Sequence, residues 1–428
     1  MYRQKITELE QWKNSPRRKP LIMRGARQVG KTWLLREFGR EHYRQTVYIN
    51  FESAKELQSI FDQDYDVNRI VHMFQMYAQT NIDEDTLIIL DEIQAAPKGL
   101  TALKYFCEDA PQYHVVAAGS LLGMGLHQGI SFPVGKVNFI DLTPMTFDEY
   151  LIAVGEHALV HSLEQKDWQV INVFAKRLTD HLKTYYFTGG MPEVVSTYIE
   201  TKDLIQVRKV QQEIIRDYEN DFSKHVPVNI ISRLFQIWES IPSQLAKENK
   251  KFMYGIIREG ARAKDFELGI QWLVECGLLL PCHRVKEPRL PLVAYQELSI
   301  FKLFLLDVGL LSAMAGLNQQ TLLHGNDIFT EYKGALTEQY VMQQLHSLHL
   351  DYIGYWTNER STAEVDFLIQ THGTVIPIEV KAEENLRAKS FKLFCEKYNP
   401  SDAVRCSMRP YKKEEWMTNI PLFGITHF

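Results

Sequence analysis

Between residues 20 and 120 short apolar runs recur at intervals filled by longer, mixed segments. Leu21-Ile22-Met23, Val47-Tyr48-Ile49, Leu87-Ile88-Ile89-Leu90 and His114-Val115-Val116-Ala117-Ala118 have the length of strands, with helical stretches between them. That alternation predicts a β/α region with a parallel sheet. Pro144 closes it. From about 145 to 225 the pattern is helical, interrupted at Gly189-Gly190-Met191-Pro192. Residues 230 to 300 predict short helices; then a helix ends at Gly277 and enters the apolar run Leu278-Leu279-Leu280, as in a winged helix-turn-helix. The apolar stretch from Ile300 to Leu317 is interrupted by Lys302 and Asp307 and predicts a buried helix, not a membrane span. From about 325 one long helix precedes a hairpin and further mixed structure. There is no internal repeat.

The first chemical signal lies between the first strand and its helix. Gly25-Ala26-Arg27-Gln28-Val29-Gly30-Lys31-Thr32 fits G-x-x-x-x-G-K-[ST] without a mismatch, preceded by an apolar strand and followed by the helix start Trp33-Leu34-Leu35. Glycines at those positions let backbone amides curl around phosphate oxygens, and the helix directs its positive end at them. Lys31 is expected to neutralise the β- and γ-phosphates, and Thr32 to ligate Mg²⁺. A second element is Leu87-Ile88-Ile89-Leu90-Asp91-Glu92, a buried strand ending in two carboxylates. Asp91 suits the Mg²⁺ shell and Glu92 the activation of the attacking water. Ser120, after the next apolar strand, is either a sensor of the γ-phosphate or a helix N-cap. Lys136 and Arg177 are candidates for the cation that hydrolysis needs, though no motif surrounds either one.

The second signal is near the C-terminus. Glu364-Val365-Asp366-Phe367-Leu368-Ile369 and Val375-Ile376-Pro377-Ile378-Glu379-Val380-Lys381 flank a turn containing Gly373 and predict a β-hairpin. If Gln370 pairs with Val375, Asp366 lies opposite Glu379, with Lys381 on the same patch. On the preceding helix Gly334, Glu338, Val341, Met342 and Leu345 share a stripe, which turns Glu338 inward. A buried carboxylate must meet a metal or a cation. The cluster therefore reads as a metal site with an adjacent lysine, or as a salt-bridged hairpin with Glu338 at the stripe's edge.

Composition narrows the classes. At about 150 residues per domain, 428 residues suggest about three domains. A net charge of −5 argues against a surface that is basic throughout, though not against a local basic patch. The N-terminal residues lack the apolar core of a secretory signal. Cys107, Cys276, Cys282, Cys395 and Cys406 are scattered, with no C-x-x-C pair, which argues against a disulfide framework or a zinc site. The expected location is cytoplasmic, with no membrane association.

Together these residues resemble a bacterial and archaeal family of AAA-type ATP-binding proteins whose C-terminal domain of unknown function has a restriction-endonuclease-like fold. The resemblance spans essentially the whole chain and rests on residues 25–32, 87–94, 139–150, 186–193, 301–311 and 364–381. It implies an α/β multidomain protein: an AAA-type P-loop ATPase core with a parallel sheet (1–145), a helical lid (146–228), a winged-helix-like segment (229–300) and a restriction-endonuclease-like domain (301–428). By that resemblance Gly190 and Pro192 shape a lid turn near the adenine. Asp366 and Glu379 bind metal, Glu338 supports it, and Lys381 positions water or stabilises the phosphorane. Residues 25–32 with Asp91 and Ser120 hold ATP or ADP and Mg²⁺. DNA is the expected macromolecular partner, through Arg258, Arg262 and Lys264 with Lys247, Lys250 and Lys251 before them, and a homo-oligomer the expected assembly.

The leading expectation is an ATP-hydrolysing switch coupled to a Mg²⁺-dependent, nuclease-like DNA-binding domain, with Lys31, Glu92 and Lys381 catalytic. The alternative is a regulatory or scaffold ATPase whose C-terminal domain binds a partner without cleaving nucleic acid. A sugar or metabolite kinase fits poorly, since Asp91-Glu92 suits water activation and no acceptor-substrate signature is found.

Overall fold

The computed structural model describes residues 1–119, 132–247, 250–318, 327–358, 363–382 and 389–428, and within these the side chains other than those of residues 225 and 327–331. The chain divides into two compact units: Met1–Thr143 with Glu275–Leu278, and Pro144–Val274 with Leu279–Phe428.

The first unit is built on five parallel strands: β1 (Leu21–Arg24), β2 (Gln45–Asn50), β3 (Thr86–Asp91), β4 (His114–Ala118) and β5 (Asn138–Asp141). Their order is β2-β3-β4-β1-β5. Parallel strands need crossover connections, and helices such as Lys31–His42, Val67–Ala78 and Lys98–Asp109 supply them. All six residues of β3 are buried, as a strand covered on both faces requires. Its C-terminal end carries Asp91, and the end of β1 opens into residues 25–30. The sheet thus places both phosphate-directed elements at its carboxyl edge.

The second unit begins with helices from Phe147–Ala153 to Ala263–Glu275 and continues into a mixed eight-stranded sheet. The strands are β6 (Leu279–Val285), β7 (Gln296–Leu305), β8 (Tyr352–Thr357), β9 (Glu364–Thr371), β10 (Thr374–Lys381), β11 (Val404–Ser407), β12 (Lys412–Lys413) and β13 (Thr418–Pro421). Their order is β12-β13-β11-β10-β9-β8-β6-β7. Two expectations change here. Residues 300–305 are strand, not helix; a short apolar run buried on both faces has no periodicity to distinguish the two. The boundary expected at residue 300 also falls inside β7, and β6 pairs both with β7 and with β8, so the expected winged-helix strands belong to the C-terminal sheet.

The long helix Asp327–Ser347 lies at the centre of this unit, and every residue from 335 to 345 is buried. Its surface is therefore not a stripe. Three glutamines satisfy backbone groups that burial would otherwise orphan. Gln339 Oε1 accepts from Leu305 N at 2.8 Å while its Nε2 donates to Leu305 O at 2.6 Å. Gln343 Oε1 accepts from Val308 N at 2.8 Å, and Gln344 Oε1 from Phe147 N at 2.9 Å.

Asp307 joins these parts. It caps the helix Val308–Met314 by accepting from Leu310 N at 2.9 Å, and accepts from Gly190 N at 2.6 Å and Gln343 Nε2 at 3.1 Å. Burial raises its pKa to about 6, against the pull of those donors. Asp307→Ala would leave them without an acceptor in a dry core, a loss of about 3 kcal/mol. Chemical denaturation should show that loss, whereas a change below about 0.5 kcal/mol would contradict the pairing.

Candidate functional site

The loop between β1 and the helix Lys31–His42 holds Gly25 at φ 144°, Gln28 at φ 63° and Gly30 at φ 94°. A Cβ on Gly25 would collide with the carbonyl oxygen of Leu142, so glycine is required there. The positive φ values turn successive amides toward one concave side, the arrangement that receives an anion. Arg3 braces the loop from behind: its guanidinium donates to Val29 O at 2.8 Å and to Thr143 O at 2.6 Å. Sequence inspection missed Arg3, because an arginine near a chain end carries no motif.

Lys31 is 7% exposed, and its Nζ donates to Gly25 O at 2.8 Å and Ala26 O at 2.7 Å. Burial lowers its pKa to about 8, partly opposed by Glu92 and Asp91. Thr32 Oγ1 donates to Asp91 Oδ2 at 2.7 Å, so the two expected Mg²⁺-shell residues are adjacent. Tyr48 OH donates to the same oxygen at 2.8 Å, and Glu92 N to Asp91 Oδ1 at 3.0 Å. Tyr48 is a second residue the sequence did not reveal; its strand partner alignment, Asn50 opposite Asp91, puts it within reach. Glu92 sits at φ 50°, a left-handed conformation that lifts it off the strand end, and accepts from Gln94 Nε2. Burial raises its pKa. The donor set of Thr32 and Asp91 fits Mg²⁺ carried in with a nucleotide, where the ion would neutralise phosphate oxygens.

Other predicted residues are placed as follows. Arg27 stands 4.0 Å from Glu52. Lys136 pairs with Glu108 at 2.8 Å and Arg177 with Glu156 at 2.6 Å, so both candidate cations have carboxylate partners. Ser120 lies outside the described residues. Gly190 N binds Asp307, its carbonyl accepts from Met145 N at 2.7 Å, and a Cβ there would collide with Met145 O. Pro192 is the first residue of the helix Pro192–Thr201, where its missing N–H costs nothing.

In the second unit the hairpin register is the expected one: Gln370 pairs with Val375, and the ladder continues to Phe367 opposite Ile378. Asp366 and Glu379 are the residues just past the end of that ladder, and Asp366 Oδ2 accepts from Val380 N at 2.7 Å. Lys381 Nζ lies 2.6 Å from Glu379 Oε1. Glu338 is buried as expected, but what it meets is a cation: Lys250 Nζ lies 2.6 Å from its Oε1. Lys302, fully buried on β7, stands 3.6 Å from Glu338 Oε2 and 2.5 Å from Glu364 Oε1. Sequence inspection treated Lys302 as an interruption, Lys250 as a surface contact and Glu364 as one residue of a strand face; none was expected in this pairing.

The electrostatics follow from that arrangement. Burial works against the charge on Lys302, but Glu338, Glu364 and Asp366 overcome it and raise its pKa. Burial pushes Glu338 up, while Lys250 and Lys302 pull it below the usual carboxylate range. No lysine pairs with Asp366 among the described ion pairs, and burial with Glu338 and Glu379 nearby raises it well above that range. Glu379 is raised by burial despite Lys381. Among the described residues no three His, Cys, Asp or Glu side chains form a group that could hold a metal ion. Glu338, Asp366 and Glu379, the expected three-carboxylate centre, lie close enough to act electrostatically on one another, and Lys250 and Lys302 pair with Glu338. Glu379 Oε2 remains buried without a hydrogen-bond donor, and Glu338 Oε2 has Lys302 3.6 Å away.

Lys302→Met removes the cation between two carboxylates, and breaking a buried pair from one side costs about 3–5 kcal/mol. Denaturant unfolding should show that loss, with part of it recovered in Lys302→Met/Glu364→Gln. A single variant as stable as wild type would contradict the charge assignment.

Residues 17–151 match an AAA domain, residues 179–321 a domain of unknown function (DUF8612) and residues 333–423 another (DUF4143). No curated protein matches. The chain is similar to a solved Walker-type ATPase of Pyrococcus abyssi, at 15% identity over 72% of this chain and 94% of that one, with a TM-score of 0.46. It is also similar to the Orc1 protein of Aeropyrum pernix in complex with DNA, at 14% identity over 74% and 93%, TM-score 0.29. Cdc6p of Pyrobaculum aerophilum matches at 14% identity over 75% and 93%, TM-score 0.26. Within the chain, the parallel sheet is an AAA-type, ATP-binding P-loop domain, and two domains of unknown function follow it.

Proposed function

We propose that the chain is an ATP-hydrolysing switch whose P-loop unit governs a carboxylate-bearing α/β unit directed at nucleic acid. The observation that carries the hydrolytic part is the convergence of Lys31, Thr32, Asp91 and Glu92 at the carboxyl edge of one sheet, with Thr32 and Asp91 2.7 Å apart. Lys31 exchanges its two carbonyl acceptors for phosphate oxygens when nucleotide arrives, and the added negative charge favours its ammonium form. Glu92, lifted off the strand, takes the proton of the attacking water. The helical segment 146–228 acts as the lid, with Gly190 and Pro192 fixing its turn, and the chain works as a homo-oligomer. The second unit has a restriction-endonuclease-like ancestry, which the hairpin carrying Asp366, Glu379 and Lys381 supports. Exposed Arg258, Arg262 and Lys264, on and before the helix Ala263–Glu275, are its DNA contacts. Lys250 is withdrawn from that set by its burial against Glu338.

A second reading, a regulatory ATPase whose C-terminal unit binds a partner without cleaving it, is favoured by one observation. Lys250 and Lys302 already supply Glu338 with the positive charge that a metal ion would bring. No helix among those residues is long and apolar enough to cross a membrane.

Lys31→Ala is expected to lose nucleotide binding, measured with a fluorescent ATP analogue. Glu92→Gln is expected to keep binding and to release phosphate at least about 10²-fold more slowly. Wild-type turnover in either variant would overturn the site. For the second unit, plasmid DNA incubated with the protein, ATP and Mg²⁺ or Mn²⁺ separates the two readings. Cleavage abolished by Asp366→Ala favours the first, and intact DNA with normal ATP hydrolysis the second.

A further inference from the structure

The helix Lys31–His42 meets the sheet of the first unit along one line of residues. Gly39 lets it come close to β2, since a Cβ there would collide with the Thr46 side chain. From that contact the helix runs back toward the P-loop, and residues 39, 36 and 32, three and four apart, lie on one face. The Arg36 guanidinium lies 3.8 Å from the centre of the Tyr48 ring, and Thr32 Oγ1 donates to Asp91 Oδ2 at 2.7 Å. The register of β2 on β3 sets Tyr48 opposite Ile89 and Asn50 opposite Asp91. Tyr48 is therefore the diagonal neighbour of Asp91 on the same face, within reach of a long side chain. Its hydroxyl donates to the same Asp91 Oδ2 at 2.8 Å.

The direction of that hydrogen bond is set by its neighbours. Asn50 Oδ1 accepts from Glu52 N at 2.9 Å and Ser53 N at 3.3 Å, which turns its Nδ2 toward Tyr48 OH, 3.5 Å away. With a donor on its other side, the phenol sends its proton to Asp91. Asp91 Oδ1 in turn accepts from Glu92 N at 3.0 Å. Three donors, from the helix, from β2 and from the backbone after β3, thus fix the plane of one carboxylate. We propose that Tyr48 is a positioning residue of the nucleotide site. Its hydroxyl, with the ring held under Arg36, aims the Asp91 carboxylate at Thr32 and at the Mg²⁺ that arrives with nucleotide. The ring supplies reach with only two side-chain torsions to fix, and the charge-assisted hydrogen bond resists rotation of the carboxylate. Tyr48 acts through Asp91, so loss of its hydroxyl subtracts only from the share of nucleotide affinity that Mg²⁺ contributes. The inference rests on the reading of this site as a Mg²⁺-dependent ATPase, and it adds what orients the carboxylate of that site.

A fluorescent ATP analogue is titrated into the full-length protein twice, with EDTA and with Mg²⁺, and the readout is the gain in affinity that Mg²⁺ brings. Tyr48→Phe, which removes only the hydroxyl, is expected to bind as wild type does in EDTA, which also shows that it is folded. Its Mg²⁺ gain is expected to be about tenfold smaller. Half-maximal phosphate release should require correspondingly more Mg²⁺. Arg36→Met, which removes the charge over the ring, is expected to lose about two- to threefold of the same gain. Asp91→Asn is expected to lose the whole gain, and Tyr48→Phe/Asp91→Asn to lose no more, because the phenol then has no carboxylate to orient. A gain in Tyr48→Phe equal to that of wild type, or an affinity loss of the same size with and without Mg²⁺, overturns the positioning role. The ATPase reading survives that result if Asp91→Asn still loses the gain. A gain that persists in Asp91→Asn, or is absent from wild type, overturns both.

Discussion

A carboxylate taken out of water must be met by a cation or a proton, and the second unit is organised around four carboxylates, Glu338 and Glu379 buried and Glu364 and Asp366 partly so. Glu338 comes from the central helix, Glu364 and Asp366 from β9 and Glu379 from β10. Lys302, with no exposed surface, stands against Glu338 and Glu364. An isolated charge at such depth would cost several kcal/mol, so each acid constrains where its partner's element can lie. The placement of β7 against the helix Asp327–Ser347, with Lys302 reaching Glu364 at the start of β9, is in this sense an electrostatic arrangement as much as a packed one. The glutamines of that helix do the same for neutral groups, supplying Leu305, Val308 and Phe147 with the partners that burial would have denied them.

The same constraint takes a different form in the P-loop unit. There the buried cation is Lys31, held by two backbone carbonyls, which carry partial charge only. Its lowered pKa shows that these acceptors compensate it incompletely. A group so placed gains when an anion arrives, which is what a phosphate-binding loop requires. The second unit is the converse: its lysines meet full carboxylates. Lys31 stands ready for a ligand, whereas Glu338 already has its counter-ion.

Much of this was legible in the sequence, and the legible parts share a cause. The P-loop, the Asp91-Glu92 strand end and the hairpin register are set by local rules of spacing, which one strand or turn obeys by itself. What was missed depends on residues far apart in the chain. Lys302 looked like a break in an apolar run because nothing local shows that Glu338 and Glu364 will reach it. Residues 300–305 were taken for helix for the same reason, since a run buried on both faces loses the alternation that marks a strand. Lys250 looked like a surface lysine, and its partner is 88 residues away. Gln339, Gln343 and Gln344 gave the central helix a polar look that concealed the burial of residues 335–345, so the stripe containing Glu338 was right about that residue and wrong about its neighbours.

Protein lysines supply positive charge at each of Glu338, Glu364 and Glu379. The most direct test is the metal content of the purified, nucleotide-free protein, read together with its melting temperature before and after chelation. If the lysines suffice, the protein carries less than stoichiometric divalent metal and its melting temperature does not change on chelation. Stoichiometric metal whose removal lowers the melting temperature, and which is lost in Glu338→Gln, would contradict it.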